Sequence, residues 1–462
     1  MDWLAPISRH VAHPLWAWRD GSPRLRYLRE LERSQWLDAE SLQQVALARL
    51  RALLAHAVER CPWYRRQARE LGLDPRAVRQ PSDLLAWPVL ERSHLQAHAW
   101  ELVAEGWPQE DLLPYTTGGS TGAPVRFFLH AERVASRTAT MWRHDRWAGW
   151  ELGQRMGQVW GASRDLAPPL GARGRVRRAL LDRWLQLDAT HLTPEMMLAY
   201  VSLLRRLRPP VVLAYAQAAV AFARFLREQG LSTPRLRGLI TSAEVLTEED
   251  RQLIEAAFGC RVYNRYGSRE VGLIASECGR GEGLHISAES VWVEFVRDGR
   301  HVAPGELGEV LVTDLRNRAL PLIRYRIGDL GSPAEGACPC GRGLPRMQMV
   351  AGRATDFLLR RDGGLVSGVT LVTYAITGLE GVGQVQLVQP SVEELVVRVV
   401  PGPGFTPAVL ARLRGRLERY LGEIPGIRFE LLEAIAKEPS GKYRFSISRV
   451  APQWAAAGRG GA

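Results

Sequence analysis

Between residues 211 and 267, short β-type runs alternate with helical segments. VVLAYA (211–216) is followed by a helix through AVAFARFLREQG (219–230), then LRGLITSAE (236–244), a helix over 247–258, and CRVYNRYG (260–267). Parallel strands cannot be joined by a tight turn, so a helix returning the chain over the sheet is the economical connection. The expected fold class is therefore α/β. In such sheets ligands gather at the carboxyl ends of the strands, so SAE and NRYG, which follow two of these runs, fall where a site is expected.

A chain of 462 residues exceeds the size of one core. We expect a large N-terminal domain over 1–351, a small α+β domain over 352–454 and a disordered tail, AAAGRGGA, over 455–462. In the first, Leu42, Val45, Ala46, Leu50, Leu53, Leu54 and Ala57 share the spacing of one helical stripe, which Cys61-Pro62 ends. After Glu270, VWVEFV (291–296) and GEVLVTDL (308–315) surround the turn signals RDGR and APGELG, predicting antiparallel strands of a small β-rich subdomain. In the second, FLLRRDGG, VQLVQP, ELVVRVVP, a helix over 407–421 and IRFELLEAI give strands, a helix and a further strand.

The first twenty residues contain prolines, histidines and arginines where a signal peptide needs an unbroken apolar core. No run reaches the roughly 18 apolar residues of a membrane span. The chain is therefore expected in the cytosol, where its five cysteines are reduced and metal binding, rather than a disulfide framework, is the expected use of any cluster. Against 49 acidic residues stand 61 basic ones, a net +12. Most arginines are interleaved with acids, and no nucleic-acid-binding signature accompanies them. Only GARGRVRRALLDRW (171–184) and RRLR (205–208) are locally basic, and the first suits an amphipathic helix on an anionic membrane surface.

Four motifs carry chemistry. In YTTGGSTGAP (115–124), Gly118, Gly119 and Gly122 clear the way for backbone N–H groups. With the hydroxyls of Thr116, Thr117, Ser120 and Thr121, these can surround phosphate oxygens. The Gly-Lys-Ser/Thr ending of a Walker loop is absent. In NRYGSREVG (264–272), Tyr266 can stack on a base, Gly267 admits it and Glu270 can ligate magnesium. IRYRIGDLG (323–331) sets Asp329 beside a glycine turn, where a carboxylate can accept from ribose hydroxyls. GRATDF (352–357) adds Arg353 at the domain boundary. The only two lysines, Lys437 and Lys442, both lie in AKEPSGKYRF. Lysine places a compact charge on a slim stem, which a guanidinium cannot imitate in a crowded pocket.

In their order TTGGSTGAP, SAE, NRYGSRE, YRIGD, GRATD and PSGK, these motifs resemble the adenylate-forming superfamily of acyl-CoA synthetases, aryl-acid ligases and adenylation domains. ERCPWYRR, ASEC…GLHI and CPCGR are similar to its phenylacetate-CoA ligase branch, in particular to its CapK-type relatives. The resemblance covers residues from about 45 to 450. It implies ATP and magnesium, a small mobile C-terminal domain hinged near Gly352–Asp356, and a carboxylate activated as its adenylate. Coenzyme A would then accept the acyl group, an amine or hydroxyl acceptor being the alternative. By motif, residues 116–122 would cradle the triphosphate, and Ala243, Glu244, Asn264, Tyr266 and Gly267 would border adenine. Glu270 would serve magnesium, Asp329 with Arg353 would hold the ribose region, and Lys442 would be the lysine of adenylation. The chain departs from the common pattern at Thr355, where an acidic residue often stands, and in TTGGSTG rather than TSGTTG.

Cys278 and His285 are spaced C-x6-H, and Cys338 and Cys340 C-x-C, so four soft ligands can close a structural zinc site. Relatives of the branch carry a comparable set. The acyl pocket is expected around Trp142–Trp150, Trp160–Ser163 and Tyr215–Gln217, with Trp142, His144, Trp160, Gly161 and Tyr215 as lining residues. Dimers occur in similar enzymes. The rival from another class is a non-catalytic peripheral protein binding membrane or polyanion through 171–184.

Overall fold

Residues 211–268 fold as their alternation predicts. Val211–Tyr215, Gly238–Ser242 and Val262–Ser268 are parallel neighbours, connected by the helices Ala216–Glu228 and Glu248–Phe258. The computed structural model describes residues 2–116, 125–160, 171–189, 192–353, 357–361, 365–367, 371–372, 375, 379–422, 426–436 and 444–450. Thr247 caps the second helix, its hydroxyl accepting from Asp250 N, and Gly259 ends it at φ +63°, a conformation that costs glycine nothing. Met156–Val159 and Trp184–Leu187 extend the parallel set on the far side of Val211–Tyr215.

The strands expected after Glu270 are antiparallel and continue this same sheet. From Val262–Ser268 the order runs through Gly272–Glu277, Leu284–Ile286, Arg346–Arg353, Tyr325–Pro333, Gly308–Asp314, Val291–Arg297 and Arg300–His301. Val262–Ser268 is thus the changeover, parallel to one neighbour at its start and antiparallel to the other at its end. Where the ladder changes, the buried Glu277 carboxylate accepts from Asn264 N (2.8 Å) and from Arg251 (2.7 Å), so no backbone donor is stranded.

The helix Ala39–Arg60 starts at Asp38, whose carboxylate accepts from Ser41 N, and buries Leu42, Ala46, Leu50, Leu53, Leu54 and Ala57. Val45 is only partly buried. Burying each such leucine contributes about 1.5–3 kcal/mol. Pro62, lacking an N–H, begins the next helix, Pro62–Leu71, rather than continuing the first.

A separate apolar core is drawn wholly from residues beyond 357. There a four-stranded sheet has the order Gly426–Leu431, Glu394–Pro401, Val382–Ser391, Ser446–Ser448. The helix Pro407–Leu421 contributes Val409, Leu413, Leu417 and Leu421, spaced to share one face. The tail 455–462 lies outside the described residues. Among those described, no helix is long and apolar enough to cross a membrane.

Candidate active site at the carboxyl edge of the sheet

The register aligns Val159, Ala214, Thr241 and Asn264 across four parallel strands. One step further along, Trp160 and Tyr215 meet with ring centroids 4.3 Å apart, and Ser242 is Tyr215's partner in the next strand. The chain then turns sharply: Ala243 has φ +71°, a left-handed conformation that costs a non-glycine residue about 1 kcal/mol or more. Glu244 follows, its Oε2 accepting from the backbone N of Gln217 (2.8 Å) at the start of the helix Ala216–Glu228. Two of the candidate acyl-pocket residues and the SAE motif therefore share one edge of the sheet.

The next strand supplies the rest. Asn264 accepts from the Thr241 hydroxyl (3.2 Å), and Tyr266 donates its hydroxyl to Asp329 Oδ2 at 2.6 Å. That bond joins two motifs 63 residues apart in sequence. Asp329 is also the register partner of Arg353 on the adjacent antiparallel strand. Gly267 has no room for a side chain, since a Cβ would stand 2.6 Å from the Gly272 carbonyl oxygen. Removing the Tyr266 hydroxyl tests the linkage: hydrogen bonds to charged groups contribute about 1.5–3 kcal/mol, so Tyr266→Phe should lower the stability to unfolding by about 1 kcal/mol or more. A denaturant midpoint equal to the parent's would contradict it.

Glu270 is buried, and its Oε1 accepts from the Tyr325 hydroxyl (3.3 Å). The turn that carries it is gripped from behind. Arg137 donates to the carbonyls of Arg269 (3.0 Å) and Glu270, and Arg133 to that of Val271 (2.7 Å). Both arginines project from the helix Ala131–Trp147, one turn apart, and the fully buried Asp314 balances them, 2.8 Å from Arg133 and 3.9 Å from Arg137. Burial, then repulsion by Arg133, lowers the Arg137 pKa to about 9, so it keeps its charge at neutral pH. Sequence reasoning missed Arg133, Arg137 and Tyr325. The i,i+4 arginine pair was visible, but its carbonyl partners lie more than 130 residues away.

The phosphate-loop motif begins where it is needed. Leu113–Thr116 and Arg126–Leu129 form an antiparallel ribbon with Thr116 opposite Arg126. The Thr116 carbonyl accepts from Arg269 (3.3 Å), which ties the ribbon to the Glu270 turn. Thr117, Gly118, Gly119, Ser120, Thr121 and Gly122 lie outside the described residues, as do Gly161, Lys437 and Lys442. Two positions past Lys442 the chain is fixed: Gln386 donates to the Arg444 carbonyl (2.8 Å), and Leu387 N to that of Phe445 (2.9 Å).

Two expected pocket residues are not brought to this edge. Trp142 packs with Trp150, Met156 and Val211, at the starting ends of the strands, and its ring lies edge-on to His13. His144 is fully buried, 2.9 Å from the Ser287 hydroxyl and against Trp147. Burial, then nearby arginines, holds its pKa well below the usual imidazole value, so it is a neutral core residue. Packing of the helix Ala131–Trp147 into the interior, where Arg143, His144 and Asp145 are buried, accounts for both positions.

Cys278, His285, Cys338 and Cys340 converge, with their ligand atoms all within 4.8 Å of one another. Cys278 Sγ lies 3.7 Å from Cys338 Sγ, and Cys340 Sγ lies 3.4 Å from His285 Nε2. His285 Nδ1 is 3.3 Å from the Leu344 carbonyl oxygen, an arrangement that places the proton on Nδ1 and leaves Nε2 a lone pair toward the sulfurs. Burial lowers the His285 pKa to about 4, so the ring is neutral near pH 7. Arg280 N donates to Cys278 Sγ (3.4 Å). Three sulfurs and a neutral imidazole at this spacing fit a closed tetrahedral metal site.

Comparison with known proteins agrees with this geometry. The chain is 28% identical to the phenylacetate-coenzyme A ligase of Thermus thermophilus, over 73% of this chain and 75% of that protein. It is equally similar, 28% over the same shares, to Protein CapK of Staphylococcus aureus. Residues 358–449 match the CapK C-terminal domain. A solved 2-hydroxyisobutyryl-CoA ligase, in the postadenylation state with an adenylate, superposes with a TM-score of 0.72 at 22% identity, covering 90% of this chain and 91% of that one. The order of the motifs, the edge of the sheet on which they meet and these relatives point the same way: the chain is similar to the phenylacetate-CoA ligases and to CapK, and it shares the fold of the 2-hydroxyisobutyryl-CoA ligase.

Proposed function

We propose that this protein is an ATP-dependent, AMP-forming carboxylate ligase that passes its acyl group to coenzyme A. The observation that supports the reading is the 2.6 Å bond between Tyr266 and Asp329, which joins the NRYG and RIGD segments, the two expected to meet base and ribose. A carboxylate oxygen attacks the α-phosphorus of ATP, and the bond to the bridging oxygen breaks to release pyrophosphate. The thiolate of coenzyme A then attacks the acyl carbon, and AMP leaves. Ala243, Glu244, Asn264, Tyr266 and Gly267 border the base, Asp329 with Arg353 holds the ribose region, and residues 116–122 receive the phosphates. Trp160 and Tyr215 form a wall for the acid. Lys442, one of the chain's two lysines, neutralises the charge that builds between carboxylate and α-phosphate.

Magnesium, when bound, would screen the phosphates, and Glu270 would hold it. Arg133 and Arg137 orient the Glu270 turn without touching the substrate. Partners at this remove typically change metal affinity by about 10–100-fold, so Arg137→Ala should raise the magnesium concentration for half-maximal activity about tenfold. A magnesium titration with an unshifted midpoint would remove the positioning role. The four-ligand cluster fits structural zinc, since no ligand position is left for water. Five unpaired cysteines support residence in a reducing compartment, the cytosol.

The alternative is an amine or hydroxyl acceptor for the same adenylate. A panel of carboxylates assayed for AMP release with and without coenzyme A separates the two. Thioester accumulating only with coenzyme A is the result expected; AMP release stimulated by amines or sugars and indifferent to coenzyme A would favour the second.

A further inference from the structure

The helical run Leu4–Ile7, Ser8–Ala12, His13–Arg19 leaves a row of apolar side chains in solvent. Trp3, Ile7, Val11, Leu15 and Trp18 are all exposed, the two tryptophans by 71% and 79%. Their spacing is close to four residues, which drifts around an ordinary α-helix. Here the middle segment is wound as a wider π-turn, just before Pro14, whose missing N–H breaks the usual ladder. The wider turn keeps residues four apart on one side, so the row is continuous.

This run is docked onto the basic segment. Ser8 donates to the Leu180 carbonyl, Arg183 pairs with Asp2 (2.7 Å), and a Cβ on Gly153 would collide with the Ala5 carbonyl oxygen at 2.5 Å. The helix Gly171–Arg177 and the turn after it therefore lie beside the apolar row, presenting exposed Arg175, Val176, Arg177 and Arg178. Trp184, at the far end, is 48% exposed. The acids nearby are already engaged: Asp2 by Arg183 and Arg155, Asp20 by Arg19 and Arg24, and Asp182 by Arg177. A row of aliphatic side chains bounded by tryptophans and bordered by arginine is the composition that enters the headgroup region of a bilayer, with the cations drawn to anionic lipid.

We infer that this face docks the protein on an anionic membrane surface. The apolar row sinks to the acyl boundary, the tryptophans stay at headgroup depth, and the arginines meet lipid phosphates. This surface is distinct from the nucleotide edge and does not depend on the reaction assigned to it.

The test is co-sedimentation of the full chain with phosphatidylcholine vesicles, with and without phosphatidylglycerol, at low and high salt. Binding is expected to the anionic vesicles, weakened by salt. The Trp3→Asp/Trp18→Asp and Arg175→Glu/Arg177→Glu variants should each lose at least about tenfold in partition coefficient. Leu431→Asp, an exposed apolar position on the C-terminal sheet, should bind as the parent does. Because all these side chains are exposed, the melting transition should be unchanged in each variant. Equal binding to neutral vesicles, absence of binding, or full binding by both double variants would overturn the inference. So would light scattering that shows a dimer of the parent dissociated by Trp3→Asp/Trp18→Asp without vesicle binding, since a second copy would then cover the face.

Discussion

Replacing Lys442 with alanine is expected to reduce carboxylate-dependent exchange of pyrophosphate into ATP by about a hundredfold or more, the usual loss when one preorganised stabilising group is removed. ATP binding and the melting transition should be close to those of the parent. The reason lies in charge. A carboxylate approaching a triphosphate concentrates negative charge along the line of attack, and only a slender cation can enter that line without displacing a reactant. Lys442→Arg should therefore rescue little, although it restores the charge. The Ser446–Ser448 strand, which begins four residues after Lys442 in the sequence, runs parallel to Val382–Ser391. Near-normal exchange in Lys442→Ala would remove the lysine from the chemistry. Loss of exchange together with loss of ATP binding would assign it to binding instead.

The second large effect concerns the cysteine and histidine cluster. The purified protein is expected to contain close to one zinc per chain by elemental analysis, and Cys338→Ser to lose it. A structural metal couples its binding energy to folding, so the variant should be destabilised by about 3 kcal/mol or more. The physical basis is local. Cys338 and Cys340 lie in the connection between two strands, and the cluster ties that connection to His285 on the strand Leu284–Ile286 and to Cys278; the loop after Cys340 packs against the chain around Gln35 and Trp36. There Arg342 donates to Gln35 (3.0 Å) and its guanidinium lies 4.8 Å from the Trp36 ring and 4.5 Å from that of Trp147. Cys260→Ser, which removes a thiol that is not among the four converging ligands, should leave zinc content nearly unchanged. Metal-free protein with the same melting temperature as the metal-loaded form would contradict the assignment.

What the sequence disclosed and what it hid have physical causes. Alternation and helical spacing are local signals, so the strands from Val211 to Ser268 and the helix Ala39–Arg60 were legible. The meeting of NRYG with RIGD was anticipated from residue types that suit base and ribose, and the Tyr266–Asp329 bond joins the two segments. The continuity of the sheet was not, because nothing in VWVEFV or GEVLVTDL says which neighbour each strand will take. Trp142 and His144 misled for a related reason. An aromatic beside a polar residue on a helix looks the same whether it faces a ligand or a core, and here His144 meets Ser287 from a distant strand connection. The arginine grip on the Glu270 turn was hidden for the same cause. Its donors sit on the helix Ala131–Trp147 and its acceptors on a turn that only the fold brings near.

The most direct measurement of the central claim is exchange of labelled pyrophosphate into ATP by the parent protein across a panel of aryl and aliphatic carboxylates, in the presence of magnesium and without coenzyme A. The account predicts label in ATP that appears only when a particular carboxylate is supplied. Exchange absent for every acid with ATP demonstrably bound, or exchange that proceeds equally without any carboxylate, would contradict it.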